Sequence, residues 1–369
     1  MEQVIEKKEV VQKPIKQKNY CLAFFEALAC IMIIFIHTSF PGDFGFFMQT
    51  LGRFGVPLFF AISGFFLYKE GITKEETRAK LKKRIIHIFC LLIFSFVLGF
   101  IFELLVASFS KDGEGARAFF ANHFNWNKLL YFAVFNRPFV NGKNWFLIAM
   151  LVSYVFIYCF PNLFIKNKWF IYVLPAMLLF WYVFRVVIIF TSPNISILGL
   201  NIKTSFFYVT WYNNGLLSIT FGILIKKNIG KLSRIPVKFV LIGLFFSVAL
   251  MVTEMFLLKK LSGTNTSFCV GNFLCVLFIL ILCAEKPQWF SSWKILNIDG
   301  QWTTYVYIFH PLLITTFKLV LNNTSLTTNA KRCIIPPAVV ISSVLLAIGF
   351  TYLLKFVKSK LNKPKEALC

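Results

Sequence analysis

Residues 21–68 read CLAFFEALACIMIIFIHTSFPGDFGFFMQTLGRFGVPLFFAISGFFLY. Two apolar runs, 21–40 and 52–69, flank a short polar turn. Each is close to the roughly 20 residues a helix needs to cross a bilayer. His37 closes the first run and Arg53 opens the second. Titratable groups at membrane depth are costly and therefore face a protein interior or a watery cavity. A pair of runs that keeps both is built to handle something polar. Gly55, Pro57 and Gly64 in the second run predict a kinked or partly unwound helix.

Outward from this pair, further apolar runs fall at 85–108, 144–165, 169–191, 206–225, 237–258, 268–284, 303–321 and 334–356. The stretch 129–136 is too short to span and reads as a re-entrant or surface piece. Composition agrees, with 58% hydrophobic residues, 47 Phe and 15% charged residues, where a soluble chain carries about 25%. The expected fold is all-α, a polytopic integral membrane protein of about ten transmembrane helices over 21–357. Basic tails at 1–20 and 358–369 flank it. The first run follows polar residues and lacks a small-residue cleavage pattern, so it reads as a retained helix rather than a leader.

The net charge of +24 invites a nucleic-acid reading, and its distribution excludes one. Alternate loops and both tails hold 26 of the 39 Lys and Arg, the opposite loops ten. That asymmetry is the positive-inside bias, and it places both termini in the cytoplasm of a cell with an inner membrane. The same charge attracts anionic headgroups or an anionic cosubstrate. The nine cysteines show no CxxC or Cys/His ligand spacing, and Cys30, Cys90, Cys159, Cys275 and Cys283 read as reduced packing residues. No glycine-rich phosphate loop, HExxH or GxSxG occurs, and no metal is expected. Sequons stand at Asn194, Asn265, Asn322 and Asn323.

The pieces ALACIMIIFIHT (27–38), LGRFGVPLFFAISGFFLY (51–68), KLKKRI (80–85), KNWFLIAMLVSY (143–154) and YVYIFHPLL (305–313) together resemble the membrane acyltransferase 3 family. That family includes O-acetyltransferases of bacterial cell-surface polysaccharides. The resemblance covers most of the chain. It implies transfer of an acyl group, acetyl above all, from cytoplasmic acyl-CoA to a hydroxyl of a cell-envelope polysaccharide or lipid-linked glycan. It also implies a basic pair near Lys80, Lys83 and Arg84 that handles the donor. One departure stands out. The family places a basic residue eleven positions before the first-helix histidine, and here that position is Glu26. Either another cation such as Arg53 has taken over, or activity is altered or lost.

The residues support that chemistry in their own terms. Acyl transfer to a hydroxyl needs a base for the proton and positive charge for the developing oxyanion. His37 fits the first task, or the relay of an acyl group, because imidazole titrates near working pH. The bland reading is a histidine satisfied at a helix end. Arg53 fits the second task; otherwise it is an interfacial anchor. Lys80, Lys83 and Arg84 suit phosphates, although the positive-inside bias alone would place them there. Glu26 is expected to pair with Arg84 or Lys83, and Glu103 and Glu254 with cations at helix ends. Ser63 with Gly64 suits close helix packing, Trp145 suits a sugar face or an interfacial belt, and His310 before Pro311 suits proton shuttling or substrate binding. A transporter of a polar molecule or lipid-linked sugar, and a non-catalytic scaffold, are the competing classes.

Overall fold

The computed structural model describes residues 17–109, 115–140, 142–191, 194–197, 200–262, 269–298 and 302–361. Most of both basic tails and the sequon at Asn265 lie outside them.

Helix α1 (Tyr20–His37) starts at Asn19, whose side chain accepts the Leu22 N–H at 2.9 Å. It ends at Thr38, whose hydroxyl donates to the Ile34 carbonyl at 2.8 Å. After a turn at Gly42 (φ +63°), α2 (Gly42–Leu51), a 3-10 turn (Gly52–Phe54) and α3 (Gly55–Leu67) run on as one rod whose helix type changes at the 3-10 turn. The expected irregularity therefore sits at the start of the second run, where Arg53 is. Next come α4 (Lys74–Phe109), α5 (Gly115–His123) and α6 (Trp126–Phe135). A second 3-10 turn (Gly142–Asn144) leads into α7 (Trp145–Cys159), α8 (Pro161–Ile165) and α9 (Lys168–Thr191).

Strands β1 (Asn194–Ile197) and β2 (Leu200–Lys203) form an antiparallel hairpin, a small addition to the all-α expectation. A 3-10 stretch (Thr204–Val209) and a π-helical turn (Trp211–Leu216) precede α10 (Leu217–Lys227) and α11 (Ile229–Leu232). The chain finishes with α12 (Val237–Ser262), α13 (Val270–Glu285), α14 (Trp302–Asn322) and α15 (Thr328–Leu361).

All ten apolar runs fall on these elements. Seven helical segments among the described residues are long and apolar enough to cross a membrane. Two further apolar helical pieces, Lys168–Trp181 and Val270–Glu285, are shorter. The run at 206–225 is divided among 3-10, π and α turns.

Long α4 shows what surrounds the bundle. Ile86, Phe89, Ile93, Val97, Ile101 and Leu105 recur every three or four residues along one stripe, and all are exposed. Such a stripe is a liability in water and the natural surface in lipid. Cys90 and Cys159 lie on the same kind of outer surface, which corrects their reading as packing residues. Rod α2–α3 is the most enclosed of the spans. Its tightest crossing is with α10. A Cβ on Gly64 would overlap the Ile219 carbonyl, and one on Gly222 would overlap the Ala61 carbonyl. Two glycines thus let two backbones touch, as small residues do in membrane helix pairs.

Candidate active site

Glycine also decides where Arg53 goes. A Cβ on Gly52 would meet the Met32 carbonyl at 2.5 Å and Ile36 Cγ1 at 2.7 Å, so the 3-10 turn lies directly on the last turns of α1. This contact sets Arg53 beside the end of the helix that carries His37. Arg53 Nε is buried there with no hydrogen-bond partner.

Across from His37 stands His310 of α14, 1% exposed. The two imidazole centroids are 5.5 Å apart and the rings lie within 20° of parallel. His310 Nδ1 is 3.3 Å from the Val306 carbonyl. A carbonyl only accepts, so in the neutral ring Nδ1 carries the hydrogen and Nε2 the lone pair. Nε2 is buried and unpartnered. Pro311 contributes by lacking the N–H that would occupy the Tyr307 carbonyl. The Tyr307 ring packs 5.6 Å from His310, and its hydroxyl donates to the Lys143 carbonyl at 2.8 Å. Lys143, Arg53 and Lys318 all act electrostatically on His37. Two imidazoles inside a group of cations suit a transient negative charge on oxygen. Among the described residues, no group of three or more His, Cys, Asp or Glu could hold a metal ion.

A second polar centre lies about 15 Å farther along the rod, ten residues beyond Arg53 at 1.5 Å each. The Ser63 carbonyl accepts Arg84 Nη1 at 2.7 Å, and its hydroxyl accepts the Tyr154 hydroxyl at 2.7 Å. Arg84 also lies over the Tyr154 ring, 5.9 Å from its centroid. These groups border a cavity of about 370 Å³ lined also by Lys83 and His87. Lys80, one turn earlier on α4, shares their helix face but does not line the cavity.

The turn Gly142–Asn144 joins several spaces. Gly142 lines an open cleft of about 470 Å³, the Lys143 carbonyl meets the Tyr307 hydroxyl, and Asn144 lines an apolar cavity of about 290 Å³. Asn144 also donates to the Ser95 hydroxyl.

Several expectations are corrected. No ion pair joins Glu26 to Arg84 or Lys83 among the described residues, because Arg84 is turned to the Ser63 carbonyl. Glu26 instead lies near Lys18, Cys30 and Cys283, about 16 Å along α1 from His37. Glu254 accepts the Val270 and Gly271 N–H groups at 3.3 and 2.9 Å, capping α13 rather than pairing with a cation. Glu103 meets His123 at 3.5 Å. Trp145 packs against the cluster around Phe146 and Leu147, which also holds Tyr307. Lys143, Tyr307, His87 and Tyr154 were missed. Only the i, i+3 spacing of Tyr307 and His310 carried a signal, and it is also an ordinary packing pattern.

The bundle defines a polytopic membrane protein with a facing pair of histidines between its helices. The chain belongs to the acyltransferase 3 family, whose acyltransferase domain matches residues 19–356, nearly its whole length. Comparison with curated proteins and with solved structures gave no match.

Proposed function

We propose that this membrane acyltransferase moves an acyl group, acetyl in the simplest case, from cytoplasmic acyl-CoA to a hydroxyl of a cell-envelope glycan or lipid-linked sugar. The facing of His37 and His310 beside Arg53 and Lys143 carries the reading. The acceptor oxygen attacks the thioester carbon, and His37 takes the hydroxyl proton. Arg53 and Lys143 hold the charge that gathers on the carbonyl oxygen. The carbon–sulfur bond then breaks, and the proton passes from His37 to the departing thiolate. His310 fixes the His37 ring and offers Nε2 as a second proton acceptor. The acyl group and the electron pairs are conserved, with an ester and a free thiol as products.

The donor's phosphates are assigned to Lys83 and Arg84 at the Ser63 cavity, with Lys80 on the approach. Under the charge asymmetry of the sequence that end faces the cytoplasm of the inner membrane. Glu26 then has no part in the reaction. The cations near His37 come from the 3-10 turns at Gly52 and Gly142 and from α14, and an arginine at position 26 is not needed to supply them.

The test compares acyl content of envelope glycans in cells making the wild type and His37→Ala at matched membrane abundance. Acylation with the wild type and its loss in the variant supports the reading. A wild type that acylates no glycan class, despite normal abundance, removes it and turns attention to transport.

A further inference from the structure

The open cleft beside Gly142 has no role in the chemistry so far. It is lined by Asn125, Asn127, Lys128, Tyr131, Arg137 and Phe206, with Pro138 and Gly142 at its edge. Its volume of about 470 Å³ falls within the roughly 300–1,000 Å³ of small-ligand clefts. Asn136 builds it. In the left-handed region (φ +45°), Asn136 turns the chain after α6, donates to the Val209 carbonyl at 3.0 Å and accepts the Trp211 N–H at 3.2 Å. These bonds bind the α6 turn to the 3-10 stretch that carries Phe206.

The next residue, Arg137, places its guanidinium 4.2 Å from the Phe206 ring centroid, and the Tyr131 ring stands edge-on to Phe206 at 5.7 Å. Arg137 Nε is buried without a partner, and burial holds its pKa below the usual arginine range. The Asn125 side chain is engaged locally, its oxygen accepting the Lys128 N–H to cap α6 and its amide donating to the Ala121 and Asn122 carbonyls at the end of α5. Asn127 and Lys128 are exposed at the rim. An aromatic wall, a free amide and two cations form a surface for a sugar ring that carries negative charge. Gly142 sits in this cleft and its neighbour Lys143 acts on His37, so the cleft and the reaction centre adjoin through one residue step.

We propose that this cleft docks the acceptor, and that it takes a sugar unit bearing an anionic group, phosphate or carboxylate, through Arg137 and Lys128. The proposal rests on the acyl-transfer reading of the His37 centre and names its substrate class. The full chain in phosphatidylcholine nanodiscs is titrated with three fluorescent probes of equal length. These are a glucuronate oligosaccharide, a glycosylated glycerol-phosphate oligomer and a neutral glucose oligosaccharide.

At least one anionic probe should bind about tenfold or more tighter than the neutral one, and which one does so separates carboxylate from phosphate. Lys128→Glu and Asn127→Asp, both at exposed positions, should each weaken that probe several-fold with an unchanged melting temperature. Arg137→Lys should recover part of the affinity that Arg137→Gln loses. His37→Ala should bind as the wild type does, which separates this test from the transfer assay. Equal binding of all three probes, no binding, or indifference to Lys128→Glu overturns the proposal. So does loss of probe binding when phosphatidylglycerol replaces phosphatidylcholine, since the cleft would then be a lipid headgroup site.

Discussion

His37 and His310 are 273 positions apart in the chain, yet their imidazoles lie within 20° of parallel at 5.5 Å. Among the described residues neither ring meets a carboxylate; His310 is set by the Val306 carbonyl, and His37, at the end of α1, by the His310 ring it faces. The pair therefore depends on how α1 and α14 pack. His37→Ala should reduce transfer by roughly 10²–10⁴-fold, the span typical of general acid–base groups. His310→Gln should lower kcat by a smaller factor and leave the KM for acyl donor unchanged. Steady-state kinetics in nanodiscs checks both.

Arg53 is held by backbone contact at Gly52 and leaves its Nε unpaired. If it stabilises an oxyanion, Arg53→Gln should cost about 10²–10³-fold in kcat, as loss of one such donor does elsewhere. Arg53→Lys should restore part of it. An Arg53 that only anchors the turn would lower membrane abundance and leave the turnover of the remaining protein unchanged.

Lys83 is exposed and lines the Ser63 cavity, and among the described residues it makes no side-chain hydrogen bond, unlike Arg84. Lys83→Glu should raise the KM for acyl-CoA several-fold and leave kcat within about twofold. Added salt should narrow the difference between variant and wild type, because exposed charges are screened within a Debye length of about 8 Å at physiological ionic strength. Donor titration at two salt concentrations measures this.

Gly64 and Gly222 permit the contact between α3 and α10, so Gly222→Val should prevent stable assembly. Overpacking a well-filled site costs about 1–3 kcal/mol, and overlap with a backbone carbonyl exceeds that range. Gly230→Ala is the control, since a Cβ there meets nothing within 4 Å. It should match or exceed wild-type stability by up to about 1 kcal/mol. Thermal melts in detergent compare the two.

The sequence was most readable where membrane physics leaves little choice. Runs such as 21–40 and 85–108 had to be helices, because an apolar backbone in lipid must satisfy its own hydrogen bonds. His37 and Arg53 were legible because polar groups stand out in such runs. Lys143 was not, since a lysine beside a helix start is ordinary, and only the fold brings it to α1 and α14. The run 206–225 divides into three helix types around buried Asn213 and Asn214, which hydropathy does not register. The expected partner of Glu26 failed for a similar reason. Pairing by depth ignored the Ser63 carbonyl, which takes the arginine first.

The turn Gly142–Asn144 fronts an open cleft, a cationic centre and an apolar cavity with three consecutive residues. One inserted residue would swing everything after it by about 100° around the α7 axis, at 3.6 residues per turn. Each side chain would then look into its neighbour's compartment. The number of residues in this turn is therefore as constrained as their chemistry, and deletion or insertion scanning would find an abrupt boundary here.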